Sequence, residues 1–97
     1  MRRILFAPSF DRDVEAIGVA IERRFGEQVR HNFVADLARI CTLLAHLPNM
    51  GTAKHGYETK LVGFVFDQNW IFFDFDDWEV HFLHIMNAKR DKDRISF

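Results

Sequence analysis

Residues Val29–Gly51, VRHNFVADLARICTLLAHLPNMG, decide how this chain folds. Val29, Phe33, Leu37, Ile40, Leu44 and Leu47 advance in steps of 4, 4, 3, 4 and 3. Those steps draw one continuous apolar stripe along a helix, and Pro48-Asn49-Met50-Gly51 closes it. Upstream, Val14, Ile17 and Ile21, extended by Phe25, repeat at the same spacing from a start at Asp11. Asp11, Asp13 and Glu15 occupy the opening turns and Arg23 and Arg24 lie near the end, as the helix dipole favours. Gly26 reads as a stop or bend between the two. Two consecutive amphipathic helices with a tight join make a helical hairpin, and its stripe needs a sheet to cover it.

The sheet is legible on either side. Arg2–Phe6 reads as a short strand ended by Pro8 and Ser9. After a loop over Gly51–Glu58, strands are expected at about Lys60–Phe66, Trp70–Phe75 and Glu79–Asn87. Asp67-Gln68-Asn69 and Asp76-Asp77 supply the turn chemistry of an antiparallel meander. The first strand joins that meander, because alone it could not satisfy its backbone groups. The expected fold is a single α+β domain over residues 1–97, in the order β-α-α-β-β-β, an antiparallel sheet with a helical hairpin packed on one face. Strict alternation points Ile71, Phe73 and Phe75 one way and Trp70 and Phe72 the other, and sets Leu83 and Ile85 against Val80, Phe82 and Met86. Two helices cover one face only, so the other is expected to show aromatic surface to a partner.

Composition narrows the classes of function. Nearly half of the 97 residues are hydrophobic and 11 are phenylalanine, so one apolar core needs no staples. Cys41 is the lone cysteine, which rules out an intrachain disulfide, fits a cytoplasmic setting and reads as a small buried hydrophobe. No stretch reaches the roughly 18 apolar residues of a membrane span, and a membrane partner is not expected. The net charge of −1 argues against gripping a long polyanion. Charge is nonetheless uneven: Asp67–Glu79 holds five acidic residues and no basic one, while Asn87–Phe97 holds four basic residues against two acidic.

Five histidines invite a metal reading. His81 and His84 stand three apart, which on a regular strand sends them to opposite faces, and His31 and His46 fall at the polar edges of the long helix. No metal and no cofactor are expected, and nothing resembles a nucleophile elbow or a phosphate-binding glycine loop. The acidic run at 74–79 is explained by turn solubility and edge protection. What remains is a basic set: Lys54, His55, Lys60, His84, Lys89, Arg90, Lys92 and Arg94. If the start of the second strand meets the end of the last, Lys60, Lys89 and Arg90 form one positive rim. A solvated terminus explains the same charges.

The ordered segments resemble the RelE/ParE family, the toxins of bacterial type II toxin–antitoxin systems. FAPSFDRDVEAI (Phe6–Ile17) is similar to the family's first strand and Asp-rich helix start, LAHLPNMG (Leu44–Gly51) to its helix exit, and VHFLHIMNAKRD (Val80–Asp91) to its closing strand. The resemblance implies a toxin that a cognate antitoxin neutralises, with formation of a hetero-oligomer between them. Within the family, ParE-like members poison DNA gyrase and RelE-like members cut messenger RNA on the ribosome. Asn87-Ala88 stands where the family often has His-Gly, and no Tyr or His follows Arg94. With the acidic 67–79 segment, this favours the gyrase-binding branch, with Lys60, Lys89, Arg90 and Arg94 as target contacts. A RelE-like endonuclease would use Lys60, His84 and Arg90 for charge neutralisation and proton transfer. An inactive member that only binds its antitoxin is the third reading. Antitoxins of this type fold across their toxins, so Trp70, Phe72 and Phe82, with the flank of the hairpin, are the expected landing area.

Overall fold

The join between two long helices sets the frame of the computed structural model, which describes residues 1–54 and 61–87. Helix α1 (Pro8–Phe25) and helix α2 (Glu27–His46) meet at Gly26, whose φ of 96° is open to glycine and strained for other residues. Its N–H closes α1 on the Glu22 carbonyl at 2.9 Å, and its own carbonyl accepts from Arg30 N–H at 3.3 Å. Arg30 then reaches back across the hairpin to Glu15 at 3.0 Å and Glu22 at 3.3 Å. Pro8 and Ser9 open α1 rather than separate it from the strand. Proline suits the first helical position because its missing N–H would have had no helical partner there.

Strand β1 (Arg3–Phe6) precedes the hairpin; a 3₁₀ turn (Pro48–Met50), β2 (Thr52–Lys54), β3 (Leu61–Phe66), β4 (Asn69–Phe75) and β5 (Glu79–Asn87) follow it. The sheet runs β1-β5-β4-β3-β2. The layers and the order of helices and main strands are those expected from the sequence, with two differences. β1 lies parallel to β5, Ile4 beside Val80 and Phe6 beside Phe82, so the sheet is mixed and not wholly antiparallel. The two intervening helices supply the crossover that a parallel neighbour needs. Thr52–Lys54, read as part of a loop, adds a short strand along β3. Gly51 permits this: a Cβ there would lie 2.3 Å from Val62 Cγ1 and 3.0 Å from the Gly63 carbonyl.

Asp67 and Gln68, both at positive φ, make the two-residue turn between β3 and β4, closed by the Phe66–Asn69 pair. Between β4 and β5, Asp76 Oδ1 accepts from the N–H groups of Trp78 and Glu79, each at 2.8 Å.

The core lies between the hairpin and one sheet face, with Phe10, Phe33, Leu37, Cys41 and Leu44 from the helices against Ile71, Phe73, Val80, Phe82 and Ile85. Phe82 is its centre: its ring stands 5.6 Å from Phe6, 5.7 Å from Phe10 and 5.5 Å from Phe73. The alternation expected of β5 breaks here. Phe73 pairs with Phe82 while Phe72 pairs with His84, so Leu83 is an extra residue in a bulge. Beyond it the parity of β5 reverses, and Ile85 joins Val80 and Phe82 on the helix side while Met86 pairs with Trp70 on the reverse.

β1 is shorter than β5 and leaves the second half of β5 without a strand on that side. The first turns of α1 take over. Ser9 Oγ donates to the Leu83 carbonyl at 2.6 Å, and Asp13 Oδ2 accepts from Ile85 N–H at 3.2 Å. One helix turn thereby closes an edge that would otherwise be open to another chain.

Candidate partner-binding surface

An apolar flank runs along α2. Val29, Ile40, Leu43 and Leu47 follow one another there at helical spacing, and Val29, Leu43 and Leu47 are all substantially exposed, Leu47 at 54%. On the helix side of the sheet β3 presents Phe64 and Phe66, both half-buried, and Phe33 of α2 packs on Phe66 at 5.8 Å between ring centres. Exposed Met50 follows the helix end. α1 packs on β5, while α2 reaches both β1 and, through Phe33, the Phe66 ring of β3. Arg39 and Asp36, paired with each other, add charge beside this stripe. Such a strip suits an amphipathic segment whose apolar residues lie between α2 and β3.

The reverse sheet face differs from the expectation. Phe72 and Phe82 are both 0% exposed. Phe82 belongs to the helix-side core, and Phe72, although on the reverse face, is already buried, as is Leu61 beside it at 4%. Neither ring is available to a partner in this conformation. Trp70, stacked on Phe72 at 6.0 Å between ring centres, is half-buried.

The bulge also changes the histidines. His81 pairs with Asp74 and His84 with Phe72, residues on one face of β4, so the two histidines share a face instead of opposing each other. Each is held by its own carboxylate. His81 Nδ1 lies 2.8 Å from Asp74 and its Nε2 3.5 Å from Glu79; His84 Nδ1 lies 3.0 Å from Asp13. The hydrogen bond to Asp74, and then the surrounding negative charge, hold the His81 imidazolium above its ordinary pKa. Two backbone N–H donors hold Asp76 below the usual carboxylate range. Burial pushes the Cys41 thiol up to about 12, so it is a packing residue and not a nucleophile. Among the described residues, no group of His, Cys, Asp and Glu is arranged to hold a metal ion, and no helix is long and apolar enough to cross a membrane.

His55, Lys60, Lys89, Arg90, Lys92 and Arg94 lie outside the described residues. The shared-rim expectation for Lys60, Lys89 and Arg90 lies with them outside the described residues. Of the described strands, β3 begins at the end of the sheet where β4 turns into β5, and β5 ends beside Asn69 at the opposite end.

The comparisons with known proteins come to bear on this geometry. The family model of the ParE toxin of type II toxin–antitoxin systems matches residues 4–92. No curated protein matches the chain by sequence. Among solved structures, the chain is similar to one from a chromosomal ParDE toxin–antitoxin system of P. aeruginosa, with TM-score 0.75 and 16% identity over 90% of this chain and 96% of that one. It is also similar to a chain of the E. coli DinJ–YafQ toxin–antitoxin complex, with TM-score 0.61 and 14% identity over 91% and 93% of the two chains. At such identities these likenesses speak for the fold.

Proposed function

The chain belongs to the ParE toxin family of type II toxin–antitoxin systems, and from that premise we propose that it inhibits growth by binding DNA gyrase and is neutralised by an antitoxin that covers the α2–β3 flank. The observation that supports the binding reading over a nuclease is the match of residues 4–92 to the ParE toxin model. His84, the one described member of the set an RNA-cleaving site would use, is moreover engaged by Asp13 at 3.0 Å. In-line cleavage needs a proton carrier and phosphate-neutralising cations within about 3 Å of the same reacting atoms. The net charge of −1 also weighs against docking into ribosomal RNA.

The antitoxin part of the reading rests on the exposed line of Val29, Leu43 and Leu47 beside Phe64 and Phe66. A segment that orders on binding gains most from such a preformed apolar strip, with Arg39 placed to meet an acidic residue. Lys60, Lys89, Arg90 and Arg94 are assigned to the target on sequence grounds. The test is expression with and without the neighbouring antitoxin gene, read by growth and by primer extension on translated messages. Arrest relieved by the antitoxin, with intact messages, is the expected result; cleaved messages would transfer the protein to the endonuclease branch.

A further inference from the structure

Trp78 is the most exposed aromatic residue among those described, at 74%, and its position is fixed by its backbone. Its N–H donates to Asp76 Oδ1 at 2.8 Å and its carbonyl accepts from Arg3 N–H at 2.8 Å. Arg2 fastens the same turn to the helical layer. Its Nε donates to the Asp76 carbonyl, its Nη1 to the Ala45 carbonyl at 3.3 Å, and its guanidinium lies 5.2 Å over the Phe75 ring. A large indole is thus held out on a mount tied to β1, β4, β5 and α2. An indole left in water forgoes the burial that so large an apolar ring could gain, and the residue's backbone contacts need no indole.

The charge around it is specific in sign. Asp74, Asp76, Asp77 and Glu79 are set against Arg2 and Arg3, and both arginines already face internal partners, Arg3 being bound to Glu79 at 2.6 Å. Among the described residues, His81, the other titratable group here, is itself bracketed by Asp74 and Glu79. A polyanion would be repelled. A protein pocket that is apolar at its base and ringed by lysine or arginine fits: the indole fills the base and the carboxylates meet the ring. We infer that the β4–β5 turn, with Trp78 as anchor and Asp77 beside it, is the surface by which this protein holds its cellular target, a protein with a basic-rimmed apolar pocket. This rests on and deepens the reading of the chain as a toxin that acts by binding: the turn is a target contact additional to the cations Lys60, Lys89, Arg90 and Arg94 assigned on sequence grounds, and it lies away from the α2–β3 flank assigned to the antitoxin. Trp78 lies between the Asp76-Asp77 turn and the strand beginning at Glu79, and its lone aromatic side chain there was the signal in the sequence.

The experiment compares the full-length protein with Trp78→Ala, Trp78→Phe and Asp77→Lys in three measurements: growth arrest, inhibition of purified gyrase, and affinity for the antitoxin. Trp78→Ala is expected to relieve arrest and weaken gyrase inhibition at least tenfold. Trp78→Phe should retain most of the effect and Asp77→Lys should weaken it several-fold, all with antitoxin affinity and thermal midpoint unchanged. If arrest persists while gyrase is untouched by the wild type, the gyrase assignment fails but the surface stands as long as Trp78→Ala still relieves arrest. Undiminished arrest by Trp78→Ala overturns the inference. So does loss of antitoxin affinity, loss of self-association on sizing columns, or loss of message cleavage in that variant, and so does a wild-type protein that arrests nothing.

Discussion

Asp13, on the second turn of α1, accepts a hydrogen bond from the backbone N–H of Ile85, 72 residues later in the chain, at 3.2 Å. The same carboxylate oxygen lies 3.0 Å from His84 Nδ1. One side chain therefore locks the first helix to the half of the last strand that β1 does not reach, just beyond the bulge at Leu83. Asp13→Ala should leave a part-buried backbone donor without its partner and cost about 1–3 kcal/mol, whereas Asp13→Asn should recover part of that. Chemical denaturation of the two variants checks the order.

Gly51 offers a purely steric prediction. A methyl group there would overlap Val62 Cγ1, and the Gly63 carbonyl on the other side leaves little room to retreat. Gly51→Ala should destabilise by about 1–3 kcal/mol, mainly by forcing β2 away from β3. Hydrogen exchange should show the loss first at Thr52–Lys54.

His81 predicts a pH dependence whose sign is fixed by its partners. Asp74, through its hydrogen bond, raises the imidazole's pKa in the folded state. The group's contribution is therefore fully present below the unfolded value of about 6.5 and is lost as pH rises through the higher folded value. Asp74→Asn should move the His81 titration down and flatten stability in that window. Histidine proton shifts followed by NMR read it directly. Asp76 works in the opposite sense: its depressed pKa gives stability above the usual carboxylate range that is lost as acid protonates it.

The flank of α2 gives the prediction for the antitoxin. Leu43 and Leu47 are exposed, so Leu43→Glu and Leu47→Glu should leave the fold nearly as stable as before. If the antitoxin covers this strip, each should weaken the complex by about 2 kcal/mol or more, which is roughly thirtyfold in affinity. Calorimetric titration with the antitoxin measures this, and unchanged affinity in both variants would remove the strip from the interface.

Much of this architecture was legible in the sequence because it is written in periodicities. The helical stripe from Val29 to Leu47, the join at Gly26 and the turn residues Asp67, Gln68 and Asp76 each have a local physical signature. The parts that escaped are relations between distant segments. Nothing local in Arg3–Phe6 announces that β1 pairs parallel with β5. The bulge at Leu83 cannot be read from alternation, because Val80–Asn87 is apolar at nearly every other position in either parity. That one inserted residue moved Ile85 into the core and brought His81 and His84 to one face. Phe82 was assigned to a docking surface for the same reason: an aromatic residue in a strand looks alike whether its face is covered or open. Ser9, which reads as a strand end, and Asp13, which reads as part of a helix start, carry no local sign that their spacing of four places both at the β5 edge.

The most direct measurement of the central claim is DNA supercoiling by purified gyrase in the presence of the purified protein. The account predicts loss of supercoiling that is reversed by adding the antitoxin. Full gyrase activity at saturating protein, together with cleavage of messages on translating ribosomes, would contradict it.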